Sequence, residues 1–148
     1  MIGVLRGMWT TLKTTFRHPV TTHYPDEHRP LAERYWGFPA LIWDPEHEEP
    51  RCTGCGICQR ECPPGAIVIT DLKENPKFAA GTSQRKKVID RFLLDMGRCM
   101  VCNICVEVCP FDALVMSHVH EMSGYARKEL RAEVPRLLAM AQQKAGGD

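Results

Sequence analysis

A cysteine phrase occurs twice in this chain, and it constrains the fold more than any other feature. The first copy reads C-T-G-C-G-I-C-Q-R-E-C-P from Cys52 to Pro63, and the second reads C-M-V-C-N-I-C-V-E-V-C-P from Cys99 to Pro110. All eight cysteines of the 148-residue chain lie inside the two copies. Because both share the spacing C-x₂-C-x₂-C-x₃-C-P, we expect two similar loops that each curl around a sulfur-bound group.

This spacing is the run that holds [4Fe–4S] clusters in bacterial ferredoxins. When two such runs occur in one chain, the fourth cysteine of each run ligates the other cluster. The sequence therefore predicts two clusters that exchange one ligand each. The expected ligands are Cys52, Cys55, Cys58 and Cys109 for the first cluster, and Cys99, Cys102, Cys105 and Cys62 for the second.

Zinc and disulfides are the alternatives for eight cysteines. Zinc sites usually combine two C-x₂-C knuckles, whereas these runs place three cysteines in one loop and a fourth before proline. Four disulfides would require an oxidising compartment, and we expect reduced thiols because the sequence shows no secretory leader. Two iron–sulfur clusters are the favoured interpretation.

The residues between the cysteines favour a tight backbone path. Gly54 and Gly56 in the first loop can adopt positive φ without steric cost. The second loop has Val101 and Asn103 at the equivalent positions, so glycine helps but is not required. The last two cysteines of each run are four residues apart, which places each pair on one face of a short helix.

Ahead of the runs, the chain predicts a helix and then an extended arm. Residues 1–18 form the helix, whose apolar stripe could lie on a membrane surface or dock on a partner subunit. The stripe contains Leu5, Met8, Trp9, Leu12 and Phe16, and the basic residues are Arg6, Lys13 and Arg17. Residues 19–50 hold six prolines and the aromatic residues Tyr24, Tyr35, Trp36, Phe38 and Trp43, so we expect an arm that buries aromatics against a larger body. A short strand at 40–43 would pair with the cluster core.

Residues 40–120 are predicted to form an α+β, ferredoxin-like domain with a pseudo-twofold repeat. Cys52 and Cys99 are 47 residues apart, and each half is expected to run strand, cluster loop, short helix, strand. Strands are predicted at 66–70, 88–95 and 113–117. Residues 71–87 are expected to be a solvated loop, with partner contact as the alternative, and residues 121–148 a helical extension with Pro135 as a break or helix start. The residues expected to pack around the clusters are Ile57, Ile67, Ile69, Ile104, Leu114 and Val115.

Other functions find little support. A net charge of +1 gives no electrostatic basis for nucleic-acid binding. No nucleotide fingerprint, phosphate loop or catalytic constellation is present. No apolar run is long enough to span a membrane, so we expect a soluble or peripheral protein.

The flanking segments carry a family resemblance. The stretch T-L-K-T-T-F-R-H-P-V-T-T-H-Y-P-D, from Thr11 to Asp26, resembles the helix and arm of subunit I of respiratory complex I, the NADH:quinone oxidoreductase. The stretch A-L-V-M-S-H-V-H-E-M-S-G-Y-A-R-K-E-L, from Ala113 to Leu130, is similar to the continuation of that subunit. One departure is R-Y-W-G-F, from Arg34 to Phe38, where the family has an Arg-Gly pair.

The resemblance implies a non-catalytic electron-relay subunit of a proton-translocating oxidoreductase. Its two [4Fe–4S] clusters would pass electrons toward the terminal cluster and the quinone. Its partners would be the cluster-bearing and quinone-site subunits and the membrane arm, with residues 1–17 at the cytoplasmic side of the cell membrane. The alternative is the matching subunit of a related membrane-bound hydrogenase or of a ferredoxin- or F420-dependent dehydrogenase. A freely diffusing ferredoxin is disfavoured, because such a carrier needs no anchoring helix.

Overall fold

A computed structural model of the chain describes residues 2–145, with side chains described up to residue 142. The chain divides into two units, one ending at Ala32 and the other beginning at Glu33. Residues 146–148, the end of the predicted helical extension, lie outside the described residues.

The first unit contains one helix, α1, from Ile2 to Thr15. The residues of α1 are all exposed, and Trp9 in its apolar stripe is 68% exposed. Phe16, the last residue of the stripe, follows the helix and is 82% exposed. Threonine hydroxyls on the helix bond to carbonyls one turn earlier, as from Thr10 to Arg6 at 2.9 Å and from Thr14 to Thr10 at 2.9 Å. Since α1 carries no acidic residue, its polar side presents only positive charge.

The second unit mixes short helices with strands, as the α+β prediction requires. Within its described residues the order is β1 Pro39–Leu41, β2 Trp43–Asp44, β3 Glu49–Pro50, α2 Ile57–Arg60, β4 Ile67–Glu74, α3 Pro76–Ala79, β5 Lys87–Asp95, α4 Ile104–Glu107, β6 Leu114–Met116, a 3₁₀ turn Arg127–Leu130, β7 Arg131–Glu133 and α5 Val134–Ala145.

Three antiparallel sheets join these strands. The arm strand β1 pairs with β6, so that Pro39 faces Met116 and Leu41 faces Leu114. The short strands β2 and β3 form a hairpin. Strand β5 lies between β4 and β7 in the third sheet. Helix α5 packs against β1, and Leu137 on α5 is fully buried.

The segment before β1 is fastened to the residues that follow β6. The backbone N–H of Gly37 donates to the carbonyl of Ser117 at 2.8 Å, and that of Phe38 donates to Val119 at 3.0 Å. The Ser117 hydroxyl donates to the Phe38 carbonyl at 2.7 Å. A Cβ on Gly37 would lie 2.7 Å from the Ser117 carbonyl oxygen and would collide with that of Val119. Only glycine fits this close approach of two backbones.

The prediction of a helix across residues 121–148 is wrong for the part before Val134. Residues 131–133 instead form β7, which pairs Ala132 with Leu94 and buries Ala132 completely. The hydrogen bonds offered by β5 override the local preference for helix. Pro135 is the second residue of α5, which agrees with a helix start.

The prediction of a solvated loop at residues 71–87 is correct for the exposure of most of the segment but wrong for its secondary structure. Strand β4 continues to Glu74, helix α3 follows, and β5 begins at Lys87, so this segment closes a long β-hairpin. Asn75 caps α3 by accepting a hydrogen bond from the backbone of Lys77 at 3.0 Å. Asn75 and Ser83 are the two residues of this segment that are buried.

Candidate metal centre

The two cysteine runs fold into the same loop followed by one turn of helix. Gly56 precedes α2 with φ 75°, and Asn103 precedes α4 with φ 67°. Two residues further back, Gly54 has φ 70° and Val101 has φ 54°. Positive φ is rare for a β-branched residue. The shared path confirms that the second loop does not need glycine.

In the first loop, one of these positions lies against the β4–β5 hairpin. A Cβ on Gly54 would collide with the side chain of Leu72 and lie 3.3 Å from Ile89. No atom lies within 4 Å of a Cβ placed on Gly56. The long hairpin of β4 and β5 therefore packs directly on the first loop.

Backbone N–H groups are directed at sulfur in both halves. The N–H of Ala66 donates to Cys62 Sγ at 3.3 Å, and the N–H of Ala113 donates to Cys109 Sγ at 3.4 Å. The first cysteine of each run receives a further backbone hydrogen bond, from Gly54 to Cys52 and from Val101 to Cys99. Such bonds stabilise negative charge on sulfur, which tunes a metal–thiolate centre.

The thiols around Cys52 form a first quartet. Burial, with smaller contributions from the neighbouring thiols of Cys109 and Cys55, raises the pKa of Cys52 to about 11. Burial, together with repulsion from Cys52, Cys105, Cys55 and Cys109, raises the pKa of Cys58 to about 12. The structure thus brings the fourth cysteine of the second run beside the first three cysteines of the first run.

The remaining thiols form a second quartet. Burial, with smaller contributions from Cys99, Cys102 and Cys62, raises the pKa of Cys105 to about 12. Burial likewise raises the pKa of Cys99, together with repulsion from Cys62 and Cys102. Cys58 and Cys105 also interact, because α2 and α4 are in contact. The ligand assignment itself stays a prediction, and this grouping agrees with it.

A cavity lies inside the second quartet. It is lined by Cys62, Cys99, Cys102 and Cys105 and measures ≈ 350 Å³ when its opening to solvent is counted. Its other walls are mostly apolar and include Pro39, Ile67, Leu94, Ile104 and Met116. Sequence reasoning identified Ile67 and Ile104 but missed the walls supplied by Pro39 and Met116, which depend on the pairing of β1 with β6.

The donor set fits an iron–sulfur cluster better than zinc or disulfides. All eight cysteines are free thiols. Among the side chains that are described, no three cysteine sulfurs lie within 4.8 Å of one another. Tetrahedral zinc, with Zn–S bonds of about 2.3 Å, would require sulfurs about 3.8 Å apart. Thiols with such raised pKa values ionise at neutral pH only when a bound metal stabilises the thiolate.

One cysteine of each quartet reaches the surface. Cys55 in the first loop and Cys102 in the second are exposed, whereas the other six are buried or half-buried. Each quartet therefore has one open edge, at the same position of the repeat.

Comparison with known proteins defines the domain. The family described as "4Fe-4S dicluster domain" matches residues 51–113, which contain all eight cysteines. This part of the chain is similar to a 4Fe-4S dicluster domain. NADH-quinone oxidoreductase subunit I 2 of Streptomyces coelicolor (strain ATCC BAA-471 / A3(2) / M145) is 40% identical over 95 residues. That match covers 63% of this chain and 45% of the relative, so the chain spans less than half of that relative's length.

A solved structure is similar to a larger part of the chain. It is described as the membrane-bound sulfane sulfur reductase (MBS), an archaeal respiratory membrane complex. The match has 32% sequence identity and a TM-score of 0.53, and it covers 82% of this chain and 57% of the other. Together with the Streptomyces relative, the dicluster domain confirms the resemblance to complex I subunit I. Among the described helices of the chain, none is long and apolar enough to cross a membrane.

Proposed function

We propose that this chain is the electron-relay subunit of a membrane-bound NADH:quinone oxidoreductase. The observation that carries the proposal is the position of the fourth cysteines: Cys62 lines one cavity with three cysteines of the second run, and Cys109 adjoins Cys52 and Cys58 of the first run. The proposed ligands are Cys52, Cys55, Cys58 and Cys109 for one [4Fe–4S] cluster and Cys99, Cys102, Cys105 and Cys62 for the other. When bound, each cluster supplies one reversible electron.

In this relay the protein holds the two clusters and shields them from water. The thiolates fix each centre, and apolar walls such as Ile67 and Leu94 exclude water from the second quartet. N–H groups of Ala66 and Ala113 lower the cost of negative charge on sulfur. Contact between α2 and α4 brings Cys58 near Cys105, which provides a short route from one quartet to the other.

The donor and the acceptor are part of the proposal. The Streptomyces relative carries the name of an NADH-quinone oxidoreductase subunit, which supports NADH as the electron source and quinone as the acceptor. A second candidate is the corresponding subunit of a related membrane-bound hydrogenase or of a ferredoxin- or F420-dependent dehydrogenase. The archaeal sulfane sulfur reductase complex matches 82% of this chain, more than the Streptomyces relative does, and this match supports the second candidate.

Purified without oxygen, the chain is expected to contain about eight iron atoms and eight acid-labile sulfides. Each [4Fe–4S] cluster contributes four iron atoms and four sulfides, so two clusters account for both numbers. Iron and sulfide analysis with electron paramagnetic resonance (EPR) of the reduced protein would measure them. Stoichiometric zinc without sulfide would contradict the proposal, and a value near four would mean that only one quartet is loaded.

The assembly is identified by its other subunits. A tagged chain isolated from its own membranes is expected to co-purify with a flavin- and nucleotide-binding subunit and with the quinone-site subunit. A nickel-containing partner would instead support the hydrogenase alternative. Isolation of the chain alone, under conditions that preserve other membrane complexes, would argue for a free carrier.

Helix α1 is proposed to attach the subunit at the cytoplasmic side of the cell membrane. Deletion of residues 2–17 is expected to leave the iron content unchanged and to release the protein from the membrane fraction, because the apolar stripe of α1 is exposed. Leu5→Ser combined with Trp9→Ser should have the same effect, and Thr11→Ser combined with Thr15→Ser is the matched control. Sedimentation of washed membranes measures it, and unchanged retention would refute an anchoring role.

A further inference from the structure

A buried carboxylate lies three residues before the first cluster loop. Glu49 on β3 is 5% exposed. Its carboxylate accepts hydrogen bonds from Asn75 Nδ2 at 2.6 Å, Ser83 Oγ at 2.7 Å and Arg85 Nη1 at 3.0 Å. Burial by itself would raise the pKa of Glu49, but the bonds from Ser83 and Asn75 and the charge of Arg85 hold the pKa below its usual value. Glu49 is therefore a paired, ionised group.

Arg85 joins this carboxylate to a second one. Its Nη2 donates to Asp44 Oδ2 at 2.8 Å, and its Nη1 also donates to the carbonyl of Pro50 at 3.3 Å. The hydrogen bond from Arg85 lowers the pKa of Asp44 despite the opposing effect of burial. One guanidinium thus contacts both strands of the β2–β3 hairpin. Planar, two-ended contacts of this kind are specific to arginine.

All three donors to Glu49 come from the segment that closes the β4–β5 hairpin. Asn75 also donates to the Arg85 carbonyl at 2.9 Å, and the Arg85 N–H donates to Ser83 Oγ at 3.1 Å, so the donors fix one another. Lys77 adds a bond from its Nζ to the carbonyl of His47 at 2.6 Å. The β4–β5 hairpin is therefore hydrogen-bonded to the residues that precede the first loop.

The two cluster loops differ in the strand that precedes each of them. The second loop follows β5, a nine-residue strand paired on both sides, and the N–H groups of Arg98 and Cys99 both bond to the Asp95 carbonyl at 3.1 Å. The first loop follows β3, which has two residues and one partner strand. Without a further contact, the backbone before Cys52 would be held only by that short hairpin and by one bond from the Arg51 N–H to the Ile42 carbonyl at 3.1 Å.

We propose that Arg85 is a positioning residue for the first cluster, acting through Glu49 and Asp44 to fix the backbone that presents Cys52. The inference rests on the proposed cluster site. The residues 71–87 segment is then an internal brace for one of the two centres. Ligand orientation by such outer contacts sets both the affinity for a metal centre and its potential.

A bound cation is an alternative explanation for the carboxylates. Asp44, Glu46 and His47 offer ligand atoms within 4.8 Å of one another. However, Asp44 is already bonded to Arg85, and His47 Nδ1 lies 3.2 Å from the same carboxylate. The Arg85 guanidinium therefore supplies the positive charge beside these carboxylates, and no bound cation is needed to explain them.

The test uses the full chain in two single-cluster backgrounds. Cys102→Ser leaves only the first quartet complete, and Cys55→Ser leaves only the second. In each background, Arg85→Ala is compared with Lys86→Ala, which removes an adjacent, exposed positive charge with no side-chain bond to the brace. Iron release to a chelator and the EPR-monitored midpoint potential are recorded. Arg85→Lys tests whether charge alone restores the behaviour.

We expect Arg85→Ala to speed iron loss from the first quartet about tenfold and to shift its midpoint potential, with the second quartet unchanged. Arg85→Lys should rescue partly, because one ammonium cannot contact both carboxylates. Equal loss from both quartets, or the same effect from Lys86→Ala, would overturn the proposal. If Arg85→Ala does not fold, Ser83→Ala, which removes one donor to Glu49, provides the same comparison. Absence of iron from the unmodified chain would refute the cluster site rather than the brace.

Discussion

Cys62→Ala is expected to remove the second cluster and to leave the first in place. Cys62 belongs to the first run by sequence, but its side chain lines the cavity formed with Cys99, Cys102 and Cys105. Its thiol also raises the pKa of both Cys99 and Cys105. Loss of one thiolate from a four-ligand centre leaves one iron without its protein ligand, so the iron content should fall from about eight to about four.

The reciprocal variant provides the control. Cys109→Ala should remove the first cluster, because the Cys109 thiol adjoins Cys52 and Cys58. EPR signals are assigned beforehand with Cys55→Ala and Cys102→Ala, whose positions belong to the same quartet under crossed or uncrossed ligation. If Cys62→Ala removes the signal that Cys55→Ala removes, the ligands are not exchanged.

Gly37→Ala is expected to destabilise the second unit by about 3 kcal/mol. The added methyl group would collide with two backbone carbonyls, those of Ser117 and Val119, and backbone cannot move aside as a side chain can. Relief requires breaking the hydrogen bonds from Gly37 and Phe38 that continue the β1–β6 ladder. Pro39, two residues later, is a wall of the second cavity, so this quartet should become more accessible.

Denaturant unfolding of the cluster-loaded protein measures the loss, and iron release measures the opening of the cavity. Gly7→Ala is the matched control, because no atom lies within 4 Å of a Cβ at that position. It should leave the unfolding of the second unit unchanged. A Gly37→Ala protein with normal stability would mean that the arm docks differently from the arrangement described.

Features with a short sequence range were predictable. The spacing of the cysteines is a local constraint, and it gave both loops, both short helices and the left-handed positions at Val101 and Asn103. Strand β5 was also predicted, because the order of the repeat places a strand directly before the second cluster loop. Local rules suffice where a few consecutive residues decide the structure.

Features that depend on distant partners were not predictable. Arg85 and Asp44 are 41 residues apart, and the bond between them is invisible in either segment alone. Strand β7 has little strand signal of its own and forms because β5 offers an unpaired edge. The one local hint in the misjudged hairpin was Asn75-Pro76, an N-cap followed by proline, which marks a helix start.

The exposed cysteines define where the protein is chemically vulnerable. Among the proposed ligands, Cys55 and Cys102 are the two exposed ones, so dioxygen and peroxides would reach these two sulfurs first. The exposure of these two cysteines would shorten the path for an electron to leave the cluster, and it would equally let an oxidant approach. Neighbouring subunits seated over these two edges would therefore act as shields, and the isolated chain should bleach in air faster than the assembled one.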